Sequence, residues 1–238
     1  MVLVEIIGEP AVGKTHLSLT LPKPLLIDTT PKREARVIAY KVLGPEAEKR
    51  YIHVKKYQEL VQAIKNIPDS VKTVIIDTGS DLQGMAVNYE TERRDRERLM
   101  PFEYGRVREM VDEDVIEAVA EKNRNLVMTA QMDDEYVNGQ KTGKRIPKGY
   151  KRMAFQADIR LFLYLAPEKG QAGEIEISPY GLGFTYKPEA ILTTKMVRKA
   201  VIIKNRYTDT GLTIIENPTA EKIKELIPPE LRQMEWME

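Results

Sequence analysis

Short apolar runs alternate with helical patterns along the first two-thirds of the chain. The runs are Val2–Ile7, Pro24–Asp28, Val71–Asp77, Leu126–Ala130 and Asp158–Leu165. Continuous apolar runs of this length are typical of strands that are buried on both faces of a sheet. Two intervening segments carry apolar residues at helical spacing. The alternation predicts a mainly parallel sheet with right-handed crossovers and flanking helices.

The pattern changes after Asp158, where short strands are separated by glycine and other turn residues. Strands of this kind predict antiparallel pairs, and a last amphipathic helix is predicted at Thr219–Ile227. We expect an α/β fold in one domain over residues 1–238. Its parallel core would span residues 1–165, and antiparallel strands with the C-terminal helix would span residues 166–238.

Composition narrows the classes of protein that this chain can represent. Its 238 residues include 37 Lys and Arg, 36 Asp and Glu, two His and no Cys, with a net charge of +1. The missing cysteine excludes a disulfide scaffold and a Cys-ligated metal centre. No apolar run approaches the roughly 20 residues of a membrane span, and no signal peptide is evident. We therefore expect a soluble, cytoplasmic protein without a membrane partner. The high share of Glu, Lys and Arg fits a thermophilic source as well as an ordinary charged surface.

The sharpest motif follows the first apolar run and matches G-x-x-x-x-G-K-[ST] at every fixed position. Its glycines let the backbone wrap a polyphosphate, Lys14 places a positive charge on the β- and γ-phosphates, and the Thr15 hydroxyl is a ligand for Mg²⁺. A short helical segment follows, as this motif requires. The predicted nucleotide-binding residues are Gly8, Glu9, Pro10, Ala11, Val12, Gly13, Lys14, Thr15 and His16.

A second element supports the same chemistry. The apolar strand Thr73–Asp77 ends in a carboxylate, and such an aspartate holds Mg²⁺ directly or through water in P-loop proteins. Thr15 and Asp77 are thus the predicted metal ligands, and ATP and Mg²⁺ the predicted cofactors. The fourth apolar run is followed by Gln131, at the sheet edge where open α/β sheets bind ligands. There it can sense the γ-phosphate.

A strongly basic stretch follows that strand. Residues 141–157 hold six cations and no carboxylate, with aromatic residues between them and glycines that predict an irregular loop. Cations can contact phosphates and aromatic rings can stack on bases, so the stretch predicts binding of single-stranded DNA. The predicted DNA-binding residues are Lys141, Lys144, Arg145, Lys148, Tyr150, Lys151 and Arg152.

Taken in order, these elements resemble the RecA/RadA recombinase superfamily, and most closely the phage Sak-type RecA-like annealing proteins with their archaeal and viral relatives. The resemblance implies a RecA-like ATPase core that binds single-stranded DNA and assists annealing or recombination, beside a single-strand-binding protein. It also implies a homo-oligomer, ring or filament, with ATP at subunit interfaces. Lys204 and Arg206, in a stretch similar to the V-V-K-N-K of bacterial RecA, would reach the neighbouring subunit's ATP and join Lys14, Asp77 and Gln131 in catalysis.

The sequence departs from the RecA pattern at one position, and two alternative functions stay open. Thr30 stands where RecA carries the glutamate that polarises the attacking water, so hydrolysis is expected to be slow unless Asp28 or Glu34 takes that role. A non-catalytic RecA-like regulator is therefore one alternative. A small-molecule kinase is the other, because the arginine-rich segment Glu90–Arg108 could serve as its lid.

Overall fold

The computed structural model describes residues 1–168, 173–177, 183–188, 196–208 and 213–235. The strand bounds are β1 Leu3–Gly8, β2 Pro24–Asp28, β3 Tyr51–His53, β4 Thr73–Asp77, β5 Asn125–Val137, β6 Gln140–Pro147, β7 Ile159–Pro167, β8 Gly173–Ile177, β9 Phe184–Pro188, β10 Met196–Asn205 and β11 Ile214–Glu216.

Helices connect these strands and cover the sheet. Their bounds are α1 Lys14–Leu19, α2 Ala35–Leu43, α3 Ala47–Arg50, α4 Tyr57–Lys65, α5 Leu82–Arg93, α6 Tyr104–Val111, α7 Ala118–Glu121, α8 Met153–Gln156, α9 Ala220–Lys224 and α10 Pro229–Glu235. A π-helical turn at Asp112–Glu117 joins α6 to α7.

The central sheet has the strand order β11-β10-β7-β1-β5-β4-β2-β3 in the described part of the chain. Strands β7, β1, β5, β4, β2 and β3 are parallel to one another. At the other edge, β10 is antiparallel to β7 and to β11. Strand β5 lies between β1 and β4. The carboxyl ends of these three parallel strands therefore lie side by side at the same end of the sheet. The predicted fold class, a mainly parallel α/β core with antiparallel strands near the C-terminus, is confirmed.

Residues of β1 alternate between the two faces of the sheet. Val4 and Ile6 pack into the cluster that contains Leu17 of α1 and Ile223 of α9. Leu3 faces the opposite cluster, which is built mainly by α4 to α7. Burial on both faces explains why these strands have continuous apolar sequences.

A third cluster lies beyond the end of the central sheet. Ile7 and Phe162 contact Phe184 and Tyr186, which belong to β9. Strands β8 and β9 pair with each other and with β6 to form a small antiparallel extension. This extension lies at the end of the central sheet that carries the phosphate-loop motif.

Three predicted features of the chain are wrong in detail. The fourth strand does not end at Gln131 but continues to Val137. The first part of the stretch expected to be irregular, up to Pro147, forms β6, which pairs antiparallel with β5, whereas residues 148–152 are irregular as predicted. The chain also forms a further helix, α10, after Ile227.

Two buried carboxylates of the arginine-rich segment bind arginines of the same segment. Glu90 accepts hydrogen bonds from Arg93 and Arg94, at 2.8 and 2.7 Å to its Oε1. Glu103 accepts from Arg94 at 2.6 Å and from Arg96 at 3.1 Å. These contacts hold the end of α5 and the turn that follows it in place, while Glu92, Arg93 and residues 95–98 stay exposed.

No helix in the described ranges combines the length and the apolar character that a membrane span requires.

Candidate nucleotide-binding site

The backbone of the phosphate loop takes a tight course that requires glycine at two positions. Gly8 ends β1, and a Cβ there would lie 2.3 Å from the carbonyl oxygen of Leu163. Gly13 has φ +94, in the left-handed region that favours glycine. The Lys14 Nζ donates to the carbonyl oxygens of Gly8 and Glu9 at 2.9 Å each. Burial lowers the pKa of Lys14, while the nearby carboxylates of Asp77 and Glu9 oppose that shift.

The two predicted metal ligands are in direct contact. The Thr15 hydroxyl donates to Asp77 Oδ2 at 2.6 Å, and the Thr129 hydroxyl on β5 donates to Asp77 Oδ1 at 2.5 Å. Burial raises the pKa of Asp77, although both hydrogen bonds oppose that shift. A hydroxyl and a carboxylate beside a phosphate loop are oxygen donors of the kind that Mg²⁺ prefers. The pair fits a magnesium ion, whose positive charge would favour the ionised form of Asp77.

Gln131 borders a cavity of about 180 Å³ that Lys14, Thr15 and Asp77 also line. It lies opposite Gly8 in the register of β1 and β5. Its backbone N–H donates to Ser80 Oγ at 2.8 Å, and its carbonyl accepts from the Lys148 N–H at 2.8 Å. The position predicted for Gln131 next to the phosphate loop is thus found. Its role as a γ-phosphate sensor stays a prediction.

The two candidate carboxylates for activating water differ in their surroundings. Asp28 is fully buried and accepts hydrogen bonds from the Thr30 backbone, the Thr30 hydroxyl and the Tyr51 hydroxyl. Those bonds hold the turn after β2 and leave Asp28 away from solvent. Glu34, in contrast, is exposed and lines the cavity together with Thr30 and Gln131. Glu34 is therefore the carboxylate that can approach a water molecule there.

Arg198 is a site residue that the sequence did not suggest. Its guanidinium covers Gly13, where an added Cβ would lie 2.4 Å from Nη2. Its Nε is buried and has no hydrogen-bond partner within the described residues. Because Arg198 lies on β10, far along the chain from the phosphate loop, no local motif could have revealed it. His16, predicted as a nucleotide contact, is exposed and lines a second cavity beside Arg198.

A comparison with models of protein families identifies the family of this chain. A family model described as an AAA domain matches residues 2–198, which is most of the chain. The chain belongs to this AAA domain family. Membership confirms the predicted P-loop ATPase class and implies nucleotide binding.

Two further comparisons add less. The fold of this AAA domain is similar to a structure entitled "Crystal structure of the RadB recombinase", with 14% identity, 92% of this chain and 88% of that chain covered, and a TM-score of 0.49. No curated protein matches the chain significantly. The Sak-type affinity stays a prediction.

The basic stretch of this AAA domain begins as the second strand of a β-hairpin. We call Met132–Pro147, which comprises the outer half of β5, its turn and β6, the basic hairpin. Lys141 pairs with Asp134 at 2.7 Å. Lys144 pairs with Glu176 of β8 at 2.7 Å. Hydrogen bonds to these carboxylates raise the pKa of both lysines. The stretch itself lacks carboxylates, but neighbouring strands supply them.

The remaining cations of the stretch have different surroundings. Arg145 Nη1 lies 3.3 Å from Oε1 of Glu9 in the phosphate loop. Lys148 is 3.8 Å from Asp81, and Arg152 pairs with Asp112. Lys151 is exposed and forms no ion pair with any described residue. Arg145 therefore links the basic hairpin to the phosphate loop, while Lys148 and Lys151 are the less engaged cations.

The predicted stacking role of Tyr150 is wrong. Its side chain is buried, and its hydroxyl donates to Asp112 Oδ1 at 2.6 Å and lies 2.9 Å from the Arg108 carbonyl oxygen. Burial raises the pKa of this phenol, and the Asp112 carboxylate raises it further. Gly149 has φ +125 and turns the chain against Ser80, which directs Tyr150 into the core. The buried ring therefore offers no free face on which a base could stack.

Lys204 and Arg206 lie at the end of β10 and support α8. Lys204 Nζ donates to the carbonyls of Ala154 and Phe155 at 3.1 and 2.9 Å. Arg206 pairs with Asp158 at 2.6 Å. Burial lowers the pKa of Lys204, and the neighbouring Arg206 lowers it further. Within one chain these cations are removed from the phosphate loop, so their role across a subunit interface stays a prediction.

Proposed function

We propose that this AAA domain binds ATP with Mg²⁺ and binds single-stranded DNA, and that it supports annealing or homologous recombination. One observation carries the proposal. Strand β5 passes from the nucleotide site directly into the basic hairpin, and Arg145 of that hairpin contacts Glu9 of the phosphate loop at 3.3 Å. DNA binding and nucleotide binding therefore share one continuous element.

The phosphate loop would hold the nucleotide with groups that already surround the cavity. Lys14 would exchange its two carbonyl partners for the β- and γ-phosphate oxygens, which are stronger acceptors for an ammonium. Thr15 and Asp77 would hold Mg²⁺, which neutralises charge on the phosphates when bound. Gln131 would contact the γ-phosphate. Glu34 would orient water, and its exposed position agrees with slow hydrolysis.

Two contacts would pass the state of the nucleotide to the hairpin. Glu9 changes its position when phosphates draw Lys14 away from its carbonyl, and Arg145 follows through the ion pair. Ser80, close after Asp77, donates to the Lys148 carbonyl at 3.1 Å. Both contacts connect nucleotide-facing residues with the stretch that carries the predicted DNA-binding cations.

The proposed active form is a homo-oligomer, ring or filament, of one domain over residues 1–238. ATP would lie at the subunit interface, and Lys204 and Arg206 would stabilise charge on the neighbouring γ-phosphate. Their position far from the phosphate loop of their own chain supports action on another subunit. A single-strand-binding protein is the proposed further partner.

ATP hydrolysis with and without single-stranded DNA tests this function. We expect stimulation by DNA that is lost in Lys141→Ala/Lys144→Ala/Arg145→Ala, together with DNA affinity. A matched variant, Lys49→Ala/Lys65→Ala/Lys122→Ala, removes the same charge elsewhere and should behave as the wild type. Absence of stimulation, with unchanged DNA affinity in the first variant, would refute the proposal.

A non-catalytic regulator is the second candidate. The engagement of Asp28 with Thr30 and Tyr51 favours it, since that carboxylate is unavailable to water. This candidate predicts tight ATP binding with negligible turnover even on DNA. The kinase alternative has less support, because buried Glu90 and Glu103 hold the arginines that a closing lid would use. Detection of phosphate transfer from ATP to nucleosides or nucleotides would support the kinase alternative.

A further inference from the structure

A third cavity, of about 320 Å³, opens beside the basic stretch and away from the nucleotide site. Its size lies within the range of small-ligand pockets, about 300–1,000 Å³. It lies over β1 and β7, between α8 and the antiparallel extension. We call it the base pocket. Its principal lining residues are Glu5, Lys148, Lys151, Phe155, Arg160 and Phe184.

The mouth of the pocket combines an exposed aromatic ring with cations. Phe155 is 61% exposed, although aromatic side chains are usually covered. Lys148 and Lys151 are exposed on the same rim. Lys204 and Arg206 donate to the carbonyls around Phe155 and add positive charge beside it. An aromatic face among cations is the combination that holds single-stranded nucleic acid.

The floor of the pocket is polar and buried. Arg160 Nε lies 2.5 Å from Oε2 of Glu5, and both side chains are almost fully covered by protein. Burial raises the pKa of Glu5, and the Arg160 charge counters that shift. Phe184 forms an apolar wall. Donors and acceptors at the end of an apolar slot suit the polar edge of a heterocyclic base.

We propose that the base pocket receives one unpaired base of single-stranded DNA. Phe155 stacks on the base, Lys148 and Lys151 contact the flanking phosphates, and the Glu5–Arg160 pair faces the base edge. The proposal rests on the DNA binding proposed above and adds the place where a base is held. It also assigns stacking to Phe155 rather than to Tyr150.

The test compares two fluorescein-labelled oligonucleotides, a thymidine homo-oligomer and its abasic counterpart, by anisotropy at fixed salt. Because stacking of one base typically changes affinity by roughly fivefold or more, Phe155→Leu should weaken binding of the thymidine oligomer by that factor. It should leave binding of the abasic oligomer unchanged. Lys151→Ala should weaken both and reduce the salt dependence.

Phe102→Leu is the matched control, because Phe102 is 82% exposed and lies outside the pocket. It should bind both oligomers as the wild type does. A 2-aminopurine base in the oligomer should be quenched by the wild type and less by Phe155→Leu. If Phe155→Leu behaves like Phe102→Leu while the wild type binds DNA, the base pocket is refuted and DNA binding stands. If the wild type binds neither oligomer, both proposals fail.

Discussion

Glu9 in the phosphate loop forms an ion pair with Arg145 in the basic hairpin, with 3.3 Å between Oε1 and Nη1. Arg145 also donates to the carbonyl of Met132 at 3.1 Å, where the hairpin leaves the central sheet. A residue of the phosphate loop thus touches a residue proposed to contact DNA. The two proposed ligands are connected by a single side-chain contact.

Glu9→Gln should therefore reduce the effect of ATP on DNA affinity. A partly exposed ion pair contributes about 0.2–1 kcal/mol, so the ratio of DNA affinities with and without ATP should fall by up to about fivefold. Fluorescence anisotropy with a non-hydrolysable ATP analogue measures it. Lys144→Ala, which breaks a pair with Glu176 instead, should lower both affinities and keep the ratio. An unchanged ratio in Glu9→Gln would show that the Glu9–Arg145 pair does not transmit the effect of ATP to DNA binding.

The two carboxylates near Thr30 should respond differently to neutral replacement. Glu34→Gln should lower kcat by about 10²-fold or more, as expected for a residue that activates water, and leave ATP affinity unchanged. Asp28→Asn should instead lower thermal stability, because it disturbs buried hydrogen bonds that contribute about 1–3 kcal/mol when left unsatisfied. Steady-state ATPase assays and thermal melts separate the two. Wild-type kcat in Glu34→Gln would favour the non-catalytic regulator.

Glu90 should make stability depend on pH in the acid range. Hydrogen bonds from Arg93 and Arg94 lower the pKa of Glu90 from 4.5 to about 2. Because the folded state holds this carboxylate ionised, its contribution is complete above pH 4.5 and is lost as the pH falls towards 2. The difference in Tm between the wild type and Glu90→Gln should shrink over that interval. A constant difference would show that the carboxylate is not responsible. Glu92→Gln, on the same helix, is the control.

The nucleotide site was largely predictable because its signals are local. The phosphate loop is a contiguous motif, and Asp77 ends an apolar strand. Gln131 is expected beside the phosphate loop because its strand runs parallel to β1, and it does lie opposite Gly8, although β5 continues past it to Val137. For these residues, the local sequence was enough to predict where they lie in the sheet.

The basic hairpin has a local signal in the sequence, although its glycines by themselves indicate irregular structure. Asn138 and Gly139 have φ 51 and 78 and connect β5 to β6, with Val137 paired to Gln140. An Asn-Gly pair with positive φ at both residues is the strongest short-range signal for a hairpin. The burial of Tyr150 was not predictable, because its partner Asp112 comes from a distant helix.

Arg198→Ala should weaken nucleotide binding. The Arg198 guanidinium lies against Gly13, so its positive charge stands beside the loop that would hold the phosphates. Hydrogen bonds to charged groups contribute about 1.5–3 kcal/mol, so the Kd for ATP should rise by roughly tenfold or more. Arg198→Lys should recover only part of this loss, because an ammonium lacks the planar fork of donors. Titration with a fluorescent ATP analogue measures each affinity.

Arg106→Ala provides the matched control, because Arg106 is exposed on α6 and has no part in the proposed site. Comparison of ATP, ADP and AMP then locates the contact along the phosphates. If affinity falls for all three, Arg198 acts near the α-phosphate, and if only ATP is affected it acts at the γ-phosphate. Tighter binding in Arg198→Ala would contradict the prediction. It would mean that the guanidinium covers the loop and must leave before the nucleotide enters.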